Sequence, residues 1–308
     1  MQPLKVLDTS EHPVDWSDTL LRSARSSLRY LFPGAEVLRE KLVLKKYHIE
    51  LIQFNTMSPF SFRFIIDKDR LFLLFAIQGS IIFSTGGGTP IITTAENSFY
   101  PSHNGPGTYK ADINDTSVVK ALIISFDPKW AKTIVRSYRV LWEAIREVAV
   151  SGRQFSVLPR CRIDRAMENE LAEILEFHDG NIGIVKLKFR KKIALALKHY
   201  HEMLVAAGLD IIYLAGLQIL NNFTDTDLDI HALSKSSPMS EGTFLRKFRI
   251  VFGTTPYDYC VKLRMEKAQK LINEQKLSKK EVYNMVGYRD LGSFSRTYRS
   301  YYGNKGNN

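Results

Sequence analysis

Met239-Ser240-Glu241-Gly242-Thr243-Phe244-Leu245-Arg246-Lys247-Phe248-Arg249-Ile250-Val251-Phe252-Gly253 and Arg289-Asp290-Leu291-Gly292-Ser293-Phe294-Ser295-Arg296-Thr297-Tyr298-Arg299-Ser300-Tyr301-Tyr302-Gly303 read as two copies of one unit. Fifty residues separate Phe244 from Phe294, Arg246 from Arg296, Phe248 from Tyr298 and Gly253 from Gly303. A fixed offset of this kind marks an internal repeat. Phe244, Phe248 and Phe252 fall four apart, as do Phe294, Tyr298 and Tyr302. Each set therefore shares one helix face. Arg246, Lys247 and Arg249, and in the second copy Arg296 and Arg299, fall beside that stripe. An apolar face for a core and a basic face for solvent is what a recognition helix requires. Gly253 and Gly303 fit helix stops.

Each copy has a helix before it. Leu228 to Lys235 carries Leu228, Ile230 and Leu233, and Ser236-Ser237-Pro238 forces a turn. Ser240 suits the N-cap of the next helix. Ser278 caps a helix from Lys279, and Glu281 stands at capping-box spacing from it. That helix stops at Gly287, and Arg289-Asp290 turns the chain. Both units thus read as helix, short turn, second helix, the geometry that lays a helix in a major groove.

Composition bounds the rest. A chain of 308 residues suggests about two domains. Its apolar fraction of 44% is ordinary for a globular protein, and its formal charge is +11. From Asn221 onward there are 15 Lys or Arg against 9 Asp or Glu, a net of +6. Charge alone fits nucleic acid, an anionic membrane or a solvated surface equally. Two cysteines, Cys161 and Cys260, argue against a disulfide scaffold and suit a reducing cytoplasm. The start lacks a signal-peptide pattern, and no apolar run reaches the roughly 18 residues of a membrane span.

The first part of the chain reads differently. Met1 to Glu11 is a loose leader, and Ser17 to Tyr30 has the spacing of a peripheral helix. From Val37 the period becomes two. Strands are expected over Tyr47–Phe54, Ser61–Ile66, Leu71–Ile77, Ile81–Phe83, Ile91–Thr94, Tyr109–Ile113 and Val118–Phe126. Thr85 to Pro90 makes a hairpin loop, and Pro101 to Gly107 is turn-rich. Such a rhythm predicts a β-barrel or double-sheet jelly roll, cupin-like in type. Helices follow over Trp130–Val150, Arg162–Phe177, Lys186–Ala207 and Leu209–Phe223. The lysine-rich face of the third has two readings, a dimer contact or a solvated surface. The predicted divisions are a β domain with its leader at 1–128, a helical linker and dimerisation region at 129–220, and a basic domain at 221–308. The fold class is accordingly two-domain α+β, with a C-terminal all-α domain.

The last 80 or so residues resemble the AraC/XylS family of bacterial transcription regulators. The resemblance rests on Phe248-Arg249-Ile250-Val251-Phe252-Gly253, Thr255-Pro256-Tyr257-Asp258-Tyr259, Lys262 to Ile272, Val286-Gly287-Tyr288, Asp290 and Phe294-Ser295-Arg296. It implies a linker helix from Pro256 to about Asn273 that holds two helix-turn-helix units against successive major grooves. Arg264 would be structural or backbone-contacting, with Ala268 and Leu271 packed inward. The strand rhythm and domain order resemble the cupin-like sensory domain that accompanies this family. That likeness implies a small effector, dimerisation through the helices after the barrel, and double-stranded promoter DNA and RNA polymerase as partners. Three departures stand out: Pro238 replaces a usual glycine, Tyr283 a usual alanine, and Asn304 to Asn308 the usual Ser-Pro and short helix.

Residue roles follow. Phe244, Phe248, Phe252, Leu263, Met285, Val286, Phe294 and Tyr298 are core candidates. Arg246 and Arg296 are candidates to read guanine or to hold phosphate. Gly242, Leu245, Leu291, Gly292 and Ser295 lie on the groove side, with Leu245 suited to a thymine methyl. Lys247, Arg249, Lys279, Lys280 and Arg299 suit phosphates. Candidate effector residues are Phe62, Phe64, Phe75, Tyr100, His103 and Tyr109. Asp225, Asp227 and Asp229 lack the glycine and distant glutamate of a calcium loop and instead mark a helix start. No metal, cofactor or catalytic set is expected. His48 and His103 form no close pair with a matching carboxylate, and Gly86-Gly87-Gly88 lacks the residues of a phosphate loop. The reading is a regulator that is not an enzyme; its rival is a cupin-type enzyme localised by a basic domain.

Overall fold

The structure, a computed structural model, describes residues 5–6, 11–13, 20–114, 118–151 and 154–303. The chain divides into two compact units between Ala206 and Ala207.

The first unit opens with β1 (Lys5–Val6), β2 (Glu11–Pro13), β3 (Ser26–Phe32), β4 (Ala35–Val43) and β5 (Tyr47–Thr56). Next come β6 (Phe60–Ile66), β7 (Arg70–Gln78), β8 (Ile82–Thr85), β9 (Pro90–Thr93), β10 (Ser98–Asn104), β11 (Gly107–Ile113) and β12 (Val118–Phe126). Helices α1 (Pro128–Val135) and α2 (Arg139–Ser151) precede two short strands, β13 (Phe155–Val157) and β14 (Cys161–Arg162). Helices α3 (Arg165–Glu176) and α4 (Ile182–Ala206) complete the unit.

All described strand pairs are antiparallel. One sheet runs β1-β6-β11-β8-β9; the other runs β13-β10-β7-β12-β5-β4-β3-β2, with β14 also on β10. The two ladders do not join among the described residues. No closed barrel is seen among the described residues: the strands form two open sheets that share one core. The chain switches sheets at the turn between β6 and β7, so Phe64 and Ile66 enter the shared core from one sheet and Phe72, Leu74 and Ala76 from the other.

Side-chain alternation on β7 explains why its sequence is a nearly unbroken apolar run. Phe72 and Leu74 face the opposite sheet. Phe75 faces the other way, stacks on Phe99 at 5.3 Å, and Phe99 meets Tyr200 of α4 at 5.7 Å. A strand buried on both faces shows no polar alternation.

Three expectations are corrected. The helix anticipated over Ser17–Tyr30 is absent from its described part: Leu20–Arg25 is bend and turn, and β3 begins at Ser26. Glu40 accepts hydrogen bonds from the backbone N–H groups of Leu20 (2.9 Å) and Leu21 (2.5 Å), which fixes the chain ahead of the strand. Pro101–Asn104 is strand and not turn, because β10 ladders with β7 from Ser98↔Ala76 to Asn104↔Arg70. The single helix anticipated over Trp130–Val150 is two, broken at Arg136–Tyr138. Strands β13 and β14 were not anticipated. Most of the leader and all of Asn304–Asn308 lie outside the described residues.

The second unit is helical: α5 (Leu209–Asn222), α6 (Ile230–Lys235), α7 (Glu241–Phe252), α8 (Pro256–Gln275), α9 (Lys279–Met285) and α10 (Leu291–Gly303). It has two cores. Ile212, Ala215, Ile219, Leu233, Phe244, Phe248 and Cys260 form the first. Met265, Ala268, Leu271, Val282, Val286 and Phe294 form the second. Helix α8 supplies both, Cys260 near its start and the other three further along. Helix α5, which the sequence reading placed in the linker region, thus packs within the C-terminal unit.

Candidate nucleic-acid interface

The local signals for the two helix pairs act as anticipated. Asp229 accepts from the N–H of His231 and Ala232 to start α6. Ser240 caps α7, and Gly253 closes it in the left-handed region at φ +72°. Thr255 caps α8, whose first residue is Pro256. Glu281 takes both the backbone N–H (2.8 Å) and the hydroxyl (2.7 Å) of Ser278. Those donors hold its carboxyl below the usual range, the hydroxyl first. Asp290 accepts from the N–H of Ser293 at 2.7 Å and is likewise depressed, chiefly by that backbone bond.

The fifty-residue repeat is visible in three dimensions. Phe244 and Phe294 are both fully buried, while Arg246 and Arg296 are both exposed. On α7, Gly242 and Arg249 are also exposed, and Leu245 is half-buried against the first core. On α10, Gly292 and Arg299 are exposed, and Leu291 and Ser295 are half-buried. Each second helix therefore presents a basic outer face while its aromatic stripe is inward. The guanidinium of Arg296 lies over the first turn of its helix, donating to Ser293 Oγ at 3.1 Å.

Two cations expected to contact phosphate already have partners. Lys247 Nζ donates to the Ala207 carbonyl at 2.6 Å, and Lys279 Nζ lies 4.9 Å from the centre of the Tyr298 ring. Lys280 is exposed. Among the expected core residues, Met285 is 47% exposed and faces outward from α9. Met265 of α8 occupies the second core instead, and Tyr302 donates to its carbonyl at 3.0 Å. Burial pushes the Tyr302 phenol up to about 12.

Arg264 is the principal tie between the pairs. Its Nε donates to the Phe223 carbonyl at 2.6 Å, its NH2 to the Asp225 carbonyl at 2.9 Å, and its guanidinium stacks 5.3 Å from the Tyr288 ring. The Phe223 carbonyl also abuts Gly287, where an added Cβ would fall 2.7 Å from it at φ +85°. Asp227 binds Arg289 of the second pair. The three acidic residues after α5 thus cap a helix and join the units. Among the described residues, no group of three or more His, Cys, Asp or Glu gathers as a metal site.

Sequence reasoning missed a further contact. Gly216 of α5 lies directly under the Phe252 ring of α7; an added Cβ would fall 2.0 Å from its tip. Tyr213 stacks on that ring at 6.2 Å. A lone glycine inside an apolar helical pattern was the available signal.

A family model described as a helix-turn-helix domain matches residues 233–305. The Msm operon regulatory protein of Streptococcus mutans is 27% identical over 86 residues, covering 28% of this chain and 31% of that protein. The chain thus carries a helix-turn-helix domain at residues 233–305. It spans about a third of the length of that curated relative. The C-terminal domain of the two-component response regulator yesN from Fusobacterium nucleatum is 30% identical, covering 29% of this chain and 92% of that one, with a TM-score of 0.27. ToxT from Vibrio cholerae is 12% identical, covering 83% of this chain and 94% of that one, with a TM-score of 0.31.

The expected effector residues divide by sheet face. Phe62, Phe64, Tyr100 and Tyr109 line an apolar cavity between the two sheets of the N-terminal unit. Phe75 and His103 are on the opposite face of their sheet, because their positions alternate with Leu74 and Ser102. His103 is within 3.0 Å of Asp69 and lines a small apolar space with Leu71, Phe126 and Leu197.

Proposed function

We infer that this protein is a sequence-specific regulator of transcription that binds double-stranded promoter DNA through α7 and α10. The observation that carries the reading is the paired exposure of Arg246 and Arg296 on helices whose aromatic faces are buried in separate cores of one unit. Helix α8 has 20 residues, and at about 1.5 Å per residue it extends about 30 Å. That length is comparable with the roughly 34 Å between successive major grooves on one face of DNA. The regulator acts as a homodimer, and RNA polymerase is its partner at the promoter. The double-sheet unit, cupin-like in enclosing an apolar interior, takes a small effector there. Effector occupancy alters how the N-terminal unit presents the reader.

Genomic footprinting of the intact protein, followed by binding at controlled salt with Arg246→Ala and Arg296→Ala, tests the reading. A discrete site weakened by each change, by about 1–3 kcal/mol where a bidentate base contact is lost, supports two-groove recognition. Diffuse binding with no preferred site refutes it.

A further inference from the structure

We propose that Ser293 and Asp290 are positioning residues for Arg296, so that base discrimination is concentrated on α10 while Arg246 of α7 makes an adaptable contact. This deepens the reading of α7 and α10 as DNA-reading helices given above and rests on it. The two helices match at the fifty-residue offset: Ser240 with Asp290, Gly242 with Gly292, Thr243 with Ser293 and Arg246 with Arg296. The matched positions are nevertheless arranged differently.

On α10 the Arg296 side chain leans back over the preceding turn, as long helical side chains do, and its Nη2 donates to Ser293 Oγ at 3.1 Å. The guanidinium also covers Gly292: a Cβ there would fall 3.5 Å from Arg296 Nη1 and 3.2 Å from Asp290 Oδ1. Ser293 is fixed in turn by Asp290, which accepts from its backbone N–H at 2.7 Å and from its hydroxyl. A chain of hydrogen bonds therefore runs from the guanidinium through the Ser293 hydroxyl to a carboxylate, and each bond in such a chain polarises the next. Asp290 is exposed, where water weakens its pull, so it orients the guanidinium without withholding it from DNA.

On α7 this chain is missing. The cap is the neutral Ser240, and its hydroxyl donates to Thr243 Oγ1 at 3.0 Å. Nothing lies within 4 Å of a Cβ built at Gly242, so the space over the first turn is open. Arg246 is exposed and has no hydrogen bond or ion pair among the described residues. The difference bears on reading. The N-terminal turn of a recognition helix is the part that meets base edges, and Arg296 is already held over that turn. Ordering a long side chain at an interface lowers affinity, and a side chain ordered beforehand escapes that cost. A planar guanidinium held in place also presents its fork to the two acceptors of guanine in one orientation.

The test uses the full chain and two measurements. The first is NMR relaxation of the arginine Nε–H groups in the free protein, with Arg246→Ala and Arg296→Ala identifying the two signals. Arg296 should be the more ordered. Ser293→Ala should loosen it to the mobility of Arg246, and Ser293→Thr, which keeps the hydroxyl, should not. The second is affinity at fixed salt for the site recovered by footprinting, with each base pair replaced in turn. Ser293→Ala should weaken binding to the preferred sequence about five-fold, the ratio that about 1 kcal/mol corresponds to. It should flatten the preference only at the base pairs under α10 and leave the salt slope unchanged, since no phosphate contact is lost. In an Arg296→Ala background the same change should do nothing, which separates positioning from direct contact. Asp290→Asn, which keeps a capping side chain and removes the charge, should give a smaller loss of the same kind. Circular dichroism reports whether each variant folds. An Arg296 signal as mobile as that of Arg246, or a Ser293→Ala effect that is absent or that persists without Arg296, would overturn the proposal and leave the DNA reading standing. No preferred site at all would refute the DNA reading, and with it any use of the held guanidinium.

Discussion

Replacing Gly216 with alanine sets two known effects against each other. In a helix interior glycine is worse than alanine by about 0.8–1.0 kcal/mol, so in isolation the change would stabilise α5. The structure opposes this. A Cβ at 216 would fall 2.0 Å from the tip of the Phe252 ring and 2.5 Å from the atom beside it. Ordinary contact begins near 3.4 Å, so the ring must move by more than 1 Å. It is poorly placed to do so, since Phe248 is 4.5 Å and Tyr259 4.9 Å from it, centre to centre. Overpacking of this kind costs about 1–3 kcal/mol, and the depth of the overlap argues for the upper end. The net expectation is a loss of about 2 kcal/mol. All three tryptophans, Trp16, Trp130 and Trp142, precede Ala207, so fluorescence reports only the other unit. Hydrogen exchange of the α7 amides gives the local readout. Gly216→Ala should speed it, and Gly216→Ala with Phe252→Leu should restore much of the protection. Slower exchange in the single variant would refute the close seating of Phe252 on α5.

Further outcomes follow from the same geometry. Arg264→Ala removes two charge-assisted hydrogen bonds and a ring contact, for an expected loss of about 3 kcal/mol in urea unfolding of the helical unit; Arg264→Lys should recover only part, because one ammonium cannot reproduce the planar fork. Arg249→Ala and Arg299→Ala should each lower the slope of log affinity against log salt by about 1 while leaving site preference intact. His48 is held down to about 4, first by desolvation and then by Arg70. Because the unfolded chain takes up that proton near pH 6.5 and the folded one does not, stability is full above that pH and falls as the pH drops toward 4. Discounted for partial exposure, the effect is about 1 kcal/mol; His48→Gln should flatten this part of the melting profile, followed by tryptophan fluorescence.

The C-terminal helices are legible in the sequence because each signal there is local. Ser240, Thr255 and Ser278 cap their helices through groups three residues away, and the aromatic stripes repeat at helical spacing. The sheets are legible as strands but not as an arrangement. The apolar run from Leu71 to Ile77 marks a central strand; it does not show whether the ladder closes. The stretch from Leu20 to Tyr30 misleads because its apolar residues match helical spacing, and the bonds that decide against a helix come from Glu40, far along the chain. Chemistry alone groups Phe75 and His103 with the cavity residues, and only strand register separates them. Residue type alone assigns Met285 inward, whereas α9 turns it to solvent. The roles of Lys247 and Lys279 are hidden for a different reason: their partners, Ala207 and Tyr298, are distant in sequence.

The placement of α5 alters where the helical unit begins. A boundary at Asn221 would detach Ile212, Ala215 and Ile219 from Phe244 and Phe248, with which they share a core. Both isoleucines are fully buried, and each contributes about 1.5–3 kcal/mol by burial. Their loss is of the order of a small domain's whole stability, about 5–15 kcal/mol. The same cut would leave the Phe223 carbonyl, and with it the anchor of Arg264, on a loose end. If α7 and α10 meet successive grooves as proposed, they need a fixed separation. That separation depends on α8, and α8 is held by α5 through the first core and by the Phe223–Asp227 turn through Arg264 and Arg289. Helix α5 is therefore part of the support that sets α7 against α8.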